Sequence, residues 1–262
     1  MDTLTALDPL IRAGAPYVFL IGALFTRISA IAFLAPGIGE RSIPVRVRLA
    51  IAVAITLVLA PMVLEIAPSS PQSPSEIVVL YTAEALSGLL IGFGLRIMIF
   101  VLEIAGSMAA QHISLSQLFG ANVGFDPSTP FSAILVMGGL AIAAAAGVHF
   151  HLVNALAQSY EIFPFGTFPG AAETGDWSTA RLGEAVAKAL ALASPFVILG
   201  FIYSLSLAAA SRAMPQLMAA FVGAPAITLA GLALFAVAAP IILFEWLAGL
   251  ERVLVDLIGG PL

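Results

Sequence analysis

The sequence predicts an all-α, polytopic membrane protein of about six hydrophobic helical segments, several kinked or over-long, arranged as bent helical hairpins. Three observations predict it. Of 262 residues, 61% are hydrophobic and only 10% charged, where a soluble domain carries roughly 25% charged residues. The apolar residues gather into runs that reach or approach the roughly 20 residues a helix needs to cross the hydrocarbon core. Between the runs lie stretches rich in Pro, Ser and Gly, the composition of turns. Water cannot be the main solvent of such a chain, so the bilayer or a large protein partner must cover much of it.

The first run, 13–36, exceeds the roughly 7–15 residues of a signal-peptide core and follows no positive cluster, so it reads as a retained membrane segment. Arg41 lies between it and the second run, 45–67, and Arg46 and Arg48 lie at the start of that run. They favour a cytoplasmic loop and an external amino terminus, although Arg181 and Lys188 then fall on the other side. A turn-rich connector at 68–75 leads to the third run, 77–110. As one helix this run would extend about 50 Å against a core of about 30 Å, so it must break, tilt or leave the bilayer. The fourth run is 131–157. A loop over 163–176 follows, studded with Pro164, Gly166, Pro169, Gly170 and Gly175. It is flanked by Tyr160, Phe163, Phe165, Phe168 and Trp177, rings suited to the headgroup level. The fifth run, 185–210, has Glu184 and Lys188 at i, i+4 to support its start. The last, 217–250, contains Pro225 and Pro240, each of which removes a backbone donor and can kink a helix. No fixed-period repeat and no soluble domain interrupts the chain, so 1–262 reads as a single integral membrane domain.

Several chemistries are excluded. Cysteine is absent, which removes disulfides, thiolate nucleophiles, thiolate zinc sites and iron–sulfur clusters. A net charge of −5 without a basic patch argues against nucleic acid. Neither H-E-x-x-H nor G-x-S-x-G occurs, and no Gly-rich phosphate loop precedes a helix. His149 and His151 are two apart, which points them to different faces of a helix, and His112 is remote. The chain reads as no enzyme, with no metal or cofactor.

Other residues suggest packing and paths. Gly88 and Gly92 form a G-x-x-x-G, and Gly139, Ala143 and Gly147 repeat small residues every fourth position. Both patterns mark close helix contact, within the chain or between subunits. Ionisable residues inside apolar runs are costly and tend to face protein or water; here they are Arg27, Glu84, Arg96 and Glu103. Arg96 and Glu103, seven apart, return to nearly one helix face, with Glu84 well off it. They read as an aqueous path or an inter-subunit ion pair, or as charges that snorkel or sit outside lipid. The segment 106–127 is apolar enough to be buried, yet rich in Gly, Ser, Gln and Asn. It suits a re-entrant loop lining a pore, or an ordinary helix end.

The residues resemble the FliR family. Arg27, then Pro36-Gly37-Ile38-Gly39 and Ile43-Pro44-Val45-Arg46-Val47-Arg48-Leu49-Ala50, are similar to its amino-terminal signature. Gly147-Val148-His149, Ser159-Tyr160 and Pro164-Phe165-Gly166 are similar to its central motif. Arg212-Ala213-Met214-Pro215-Gln216-Leu217, running on to Phe221-Val222-Gly223-Ala224-Pro225, resembles its most specific stretch. The blocks come in family order and cover nearly the whole chain. The resemblance implies a flagellar type III export-gate subunit of the bacterial inner membrane and flagellar basal body. It implies assembly with FliP and FliQ subunits and with FlhB into a conical channel for unfolded export substrates, much of it lifted above the bilayer. It also implies that a loop after the third hydrophobic region plugs the closed channel. Here that loop is 108–125, with Met108, Gln111, Leu115, Leu118, Phe119 and Phe125 as plug residues. Apolar side chains can seal a constriction by dewetting, and Gly120 and Gly124 let the loop move. Extra residues between Ser116 and Asp126 depart from the family pattern and leave the tightest point open. Arg27, Arg46, Arg48, Glu84, Arg96, Glu103, Arg212, Pro215 and Gln216 are expected as subunit contacts or buried charges. Two alternatives stand beside this: an injectisome relative, and a secondary transporter whose coupling ion binds at Glu84, Arg96 and Glu103, although no inverted repeat is present.

Overall fold

The computed structural model describes residues 2–40, 42–66, 73–113, 129–213 and 219–259. Its elements are α1 (Asp2–Leu34), α2 (Val45–Leu59), a 3-10 turn (Leu64–Ile66), α3 (Pro74–His112), α4 (Pro130–Ala145), α5 (Val148–Ile162), α6 (Ala171–Ala213) and α7 (Ala219–Gly259). No strand occurs among the described residues. Four helical segments are long and apolar enough to cross a membrane: Tyr17–Leu34, Pro74–His112, Ala171–Ala213 and Pro225–Asp256. The bent pair α4–α5 makes a fifth if it counts as one span.

Local chemistry sets the helix boundaries. Ser73 Oγ accepts from the Glu76 N–H at 3.3 Å and donates to its carboxylate at 3.0 Å, an N-terminal cap with Pro74 at the first helical position. α3 then continues for 39 residues, about 58 Å at 1.5 Å per residue. The sequence left open whether this run breaks; the helix is continuous. Thr129 caps α4 by accepting from the Ser132 N–H at 3.3 Å, with Pro130 behind it. The run expected over 131–157 divides at Gly147, whose φ of 74° is left-handed, and α4 and α5 meet there at 75°. Hydropathy cannot register such a break, because the residues on both sides stay apolar. The loop expected to reach Asp176 closes at Gly170. Ala171, Ala172 and Glu173 are good helix formers, and the Glu173 carboxylate suits a first turn. Glu184 pairs with Arg181 at 3.1 Å, in the middle of α6 and not at its start.

The prolines are absorbed inside helices. Pro195 in α6 has no N–H to give the Ala191 carbonyl, and the Ser194 hydroxyl donates to that oxygen at 2.8 Å instead. α7 runs through both Pro225 and Pro240. α2, at 15 residues, spans about 22 Å, short of the core thickness.

The chain divides into two compact units. The first comprises Met1–Arg96, Gly147–Thr179 and Glu251–Leu262. In it Leu20, Leu24, Ile28 and Ile31 bury one face of α1. The G-x-x-x-G of α3 seats against that helix: a Cβ at Gly88 would meet the Arg27 carbonyl and Ala30, and one at Gly92 would meet Leu34 and Ile31. These glycines therefore serve packing within the chain.

The second unit comprises Ile97–Ala146 and Ala180–Leu250. Phe131 stacks on Phe235 with centroids 4.0 Å apart, and Phe196 lies tilted against both. Trp246 is fully buried and donates its indole N–H to the Met98 carbonyl at 2.6 Å, so the largest core side chain has its polar atom satisfied. Gly139 leaves room for Leu102 and for the Trp246 ring.

Candidate functional site

Arg27 and Glu84 stand at the centre of the first unit, with 1% and 0% of their side chains exposed. Arg27 is on α1 and Glu84 on α3. Guanidinium and carboxylate meet in a fork, Nε to Oε2 at 2.8 Å and Nη2 to Oε1 at 3.1 Å. This bidentate geometry suits an arginine and no other cation. The remaining donors of Arg27 reach the end of α5: Nη2 donates to the Phe163 carbonyl at 2.8 Å and Nη1 to Ser159 Oγ at 3.3 Å. A helix ends with unbonded carbonyls, and an arginine placed there satisfies them. Tyr160 lies 3.7 Å from the guanidinium carbon, ring beneath charge, and its hydroxyl donates to Glu84 Oε2 at 3.3 Å. Phe165 stacks on the other side of Tyr160 at 4.2 Å.

The loop after α5 is held by the same cluster. Pro164 to Thr167 form a turn closed by the Thr167 N–H donating to the Pro164 carbonyl at 3.1 Å. Gly166, in its third position, has φ 70°, the left-handed value a type II turn requires there. That conformation turns the Gly166 N–H toward Glu84 Oε1, 3.1 Å away. The carboxylate thus takes bonds from Arg27, Tyr160 and the Gly166 backbone. One buried ion pair ties α1, α3, α5 and the 163–167 turn together.

The sequence named Arg27 and Glu84 as costly charges without pairing them, and it missed Tyr160 and Gly166 as members of the site. The usable signal was complementarity: opposite charges deep in separate apolar runs need one another. Arg96 likewise finds a partner the sequence did not supply. Its Nη1 meets Glu40 Oε1 at 2.8 Å, both groups about three-quarters buried. Arg48 donates to the Glu40 carbonyl at 3.0 Å, so two arginines hold the α1–α2 connection. Arg46 is exposed on the first turn of α2. Glu103 is half-buried in the second unit, where its carbonyl accepts from Ser132 Oγ at 2.9 Å.

Of the expected plug residues, Met108 is half-buried and Gln111 exposed near the end of α3. Leu115, Leu118, Phe119 and Phe125 lie outside the described residues, as do Pro215 and Gln216. Arg212 is exposed at the end of α6. The residues that flank 114–128 are described, and they are firmly placed in the second unit. On one side Ile113 is fully buried and fills the space that a side chain at Gly231 would take, while His112 occupies the corresponding space at Gly200. On the other, Ser132 packs its backbone onto Gly106, and Thr129 Oγ1 reaches the Gly106 carbonyl at 3.4 Å. Among the described residues no group of three or more His, Asp or Glu is arranged to hold a metal.

The model of the family "Bacterial export proteins, family 1" matches residues 18–253. The chain belongs to this family. Among curated proteins, it is similar to the flagellar biosynthetic protein FliR of Caulobacter vibrioides, 28% identical over 235 residues, covering 89% of this chain and 94% of that protein. It is also similar to FliR of Aquifex aeolicus, 28% identical over 248 residues, with 92% and 90% covered. With FliR of Escherichia coli it shares 26% identity over 220 residues, 82% of each chain. The export-family chain is therefore a FliR-type subunit of the flagellar or type III export apparatus, multi-pass and all-α. The buried cluster, the two arginines on the α1–α2 connection and the residues flanking 114–128 all fall inside the matched span.

Proposed function

We propose that this subunit forms part of the wall of the export channel and supplies its stopper. Its working partners are the FliP and FliQ subunits and FlhB, its cargo is unfolded flagellar export substrate, and its place is the bacterial inner membrane at the basal body. It contributes no catalysis. In this reading the segment 108–125 plugs the closed channel, with Met108, Gln111, Leu115, Leu118, Phe119 and Phe125 as its side chains; its first residues, expected in a loop, belong to the last turns of α3, which runs to His112. The observation that supports it best is the anchoring on either side: buried Ile113 against Gly231, and Ser132 against Gly106 and the Glu103 carbonyl. A stopper works only if its two attachments are fixed while the segment between them is free to be displaced.

Flagellar relatives favour the flagellum over the injectisome. A transporter would need Glu84 and Arg96 available for a coupling ion, whereas each is engaged in an internal ion pair. Deleting residues 114–124 tests the proposal. The expected result is an assembled complex that leaks ions across the membrane; unchanged permeability in an assembled mutant would defeat the stopper assignment.

A further inference from the structure

α2 opens on two arginines, Arg46 and Arg48, with no acidic residue in its first turn and no side chain capping it. Cations at that end oppose the helix macrodipole, which favours an anion there. The two arginines are employed differently. Arg48 donates to the carbonyls of Glu40 at 3.0 Å and Ile43 at 3.5 Å, and its guanidinium carbon lies 5.9 Å from the centre of the Phe33 ring, so it fastens the start of the helix to the chain. Arg46 is exposed, and no hydrogen bond, ion pair or ring contact from the described residues reaches its guanidinium. Glu40, the acid nearest to it in sequence, gives its carboxylate to Arg96 at 2.8 Å. The next, Glu65, lies beyond the far end of α2.

Beyond Arg46 the exposed face of α2 is wholly apolar. Leu49, Val53 and Leu57 are 52%, 42% and 61% exposed, and together with Arg46 they fall within about 80° of arc at 3.6 residues per turn. Thr56, the one polar side chain of the helix after Arg48, is buried and donates to the Ala52 carbonyl at 2.7 Å. Leu57 lies about 16 Å along the axis from Arg46, close to half of a hydrocarbon core of about 30 Å. We propose that the face formed by Arg46, Leu49, Val53 and Leu57 seats a phospholipid of net negative charge, its phosphate on the Arg46 guanidinium and an acyl chain along the three apolar residues. A partner helix would find one charged group and no polar side chain after it to set a register, whereas an acyl chain needs none. A zwitterionic headgroup brings its own cation and leaves Arg46 less well matched than an anionic one does. The inference concerns the lipid contact of a membrane protein and does not depend on the stopper.

The test uses the full-length chain expressed with its natural partners, purified as the complex and carrying Leu49→Trp as a fluorescent reporter, with the complex lacking that substitution as the blank. It is reconstituted into phosphatidylcholine vesicles that contain equal mole fractions of either phosphatidylglycerol or phosphatidylcholine brominated in the acyl chains, so that bromine quenches the reporter of an occupied site. The expected quenching fits a site taken about fivefold more readily by phosphatidylglycerol. Arg46→Gln should bring that preference close to one, Arg46→Lys should retain most of it, and Arg252→Gln, at an exposed arginine of α7, should leave it unchanged. Leu57→Trp, a second reporter further along the same face, should show the same preference even where Leu49→Trp disturbs the site. Equal quenching by the two lipids, or a preference that survives Arg46→Gln, overturns the proposal. So does the absence of quenching at both reporters, which would mean that another chain covers the face. Each of these outcomes leaves the export assignment standing.

Discussion

Arg27 donates to a carboxylate on one helix and to two groups at the end of another, and that is why a different cation should not replace it. Its donors satisfy a carboxylate on α3 and the terminal carbonyl of α5 together. A lysine could reach one of these partners and would leave the others dry. Removing one member of a buried pair costs roughly 3–5 kcal/mol, most of it the isolated charge left behind. The expected order of damage is therefore Glu84→Gln least, because the amide oxygen can still accept from Gly166, then Arg27→Lys, then Arg27→Met. Heat denaturation of the purified complex measures it, and Arg27→Lys behaving as wild type would show that the α5 carbonyls do not depend on the fork. Replacing both members, Arg27→Met with Glu84→Met, should recover part of the loss. The Gly166 N–H and Phe163 carbonyl would still lack their partners. The chain has no cysteine, so a single cysteine at exposed Phe168 should label faster in Arg27→Met if the cluster holds the turn.

The helices were legible to the extent that hydropathy and capping residues reveal them. The run at 77–110 became α3, and Ser73-Pro74-Ser75-Glu76 is a start signal that the sequence carries in full. What the sequence did not reveal depends on backbone dihedrals or on distant partners. The apolar run at 131–157 hides its bend because Gly147 differs from its neighbours in φ and not in hydropathy. The Arg27–Glu84 pair joins residues 57 apart, and only the packing of α1 on α3 decides which faces meet. The Gly147 bend yields a prediction. An L-residue forced into the left-handed region costs roughly 1–2 kcal/mol, with Asn the least penalised. Gly147→Ala should therefore lower the melting temperature of the complex more than Gly147→Asn does. Equal behaviour of the two would mean that the helix pair straightens and no longer uses the left-handed turn. Gly88→Val should be worse than either, since its side chain would meet the Arg27 backbone itself.

Across the whole molecule, costly features sit where the chain must hold a position. The buried ion pair fixes one set of helix ends in the first unit. In the second, glycines receive bulky neighbours: Gly231 takes Ile113, Gly200 takes His112, and Gly106 takes the backbone at Ser132. These contacts flank residues 114–128 on both sides, so the stopper proposal makes a sharper demand than loss of the loop alone. Gly231→Val would place two methyl groups where Ile113 already lies, and the end of α3 would have to shift. The loop would keep every one of its own residues but start from the wrong place. If its position seals the channel, Gly231→Val should assemble and leak several-fold more than wild type, approaching the 114–124 deletion. Thr129→Val should leak less, because it removes the α4 cap and a 3.4 Å bond to the Gly106 carbonyl but forces no backbone apart. Ion flux through membranes containing the assembled complexes measures all three. A tight Gly231→Val channel beside a leaking deletion would mean that the loop seals by its own contacts and that the anchors merely tie it down.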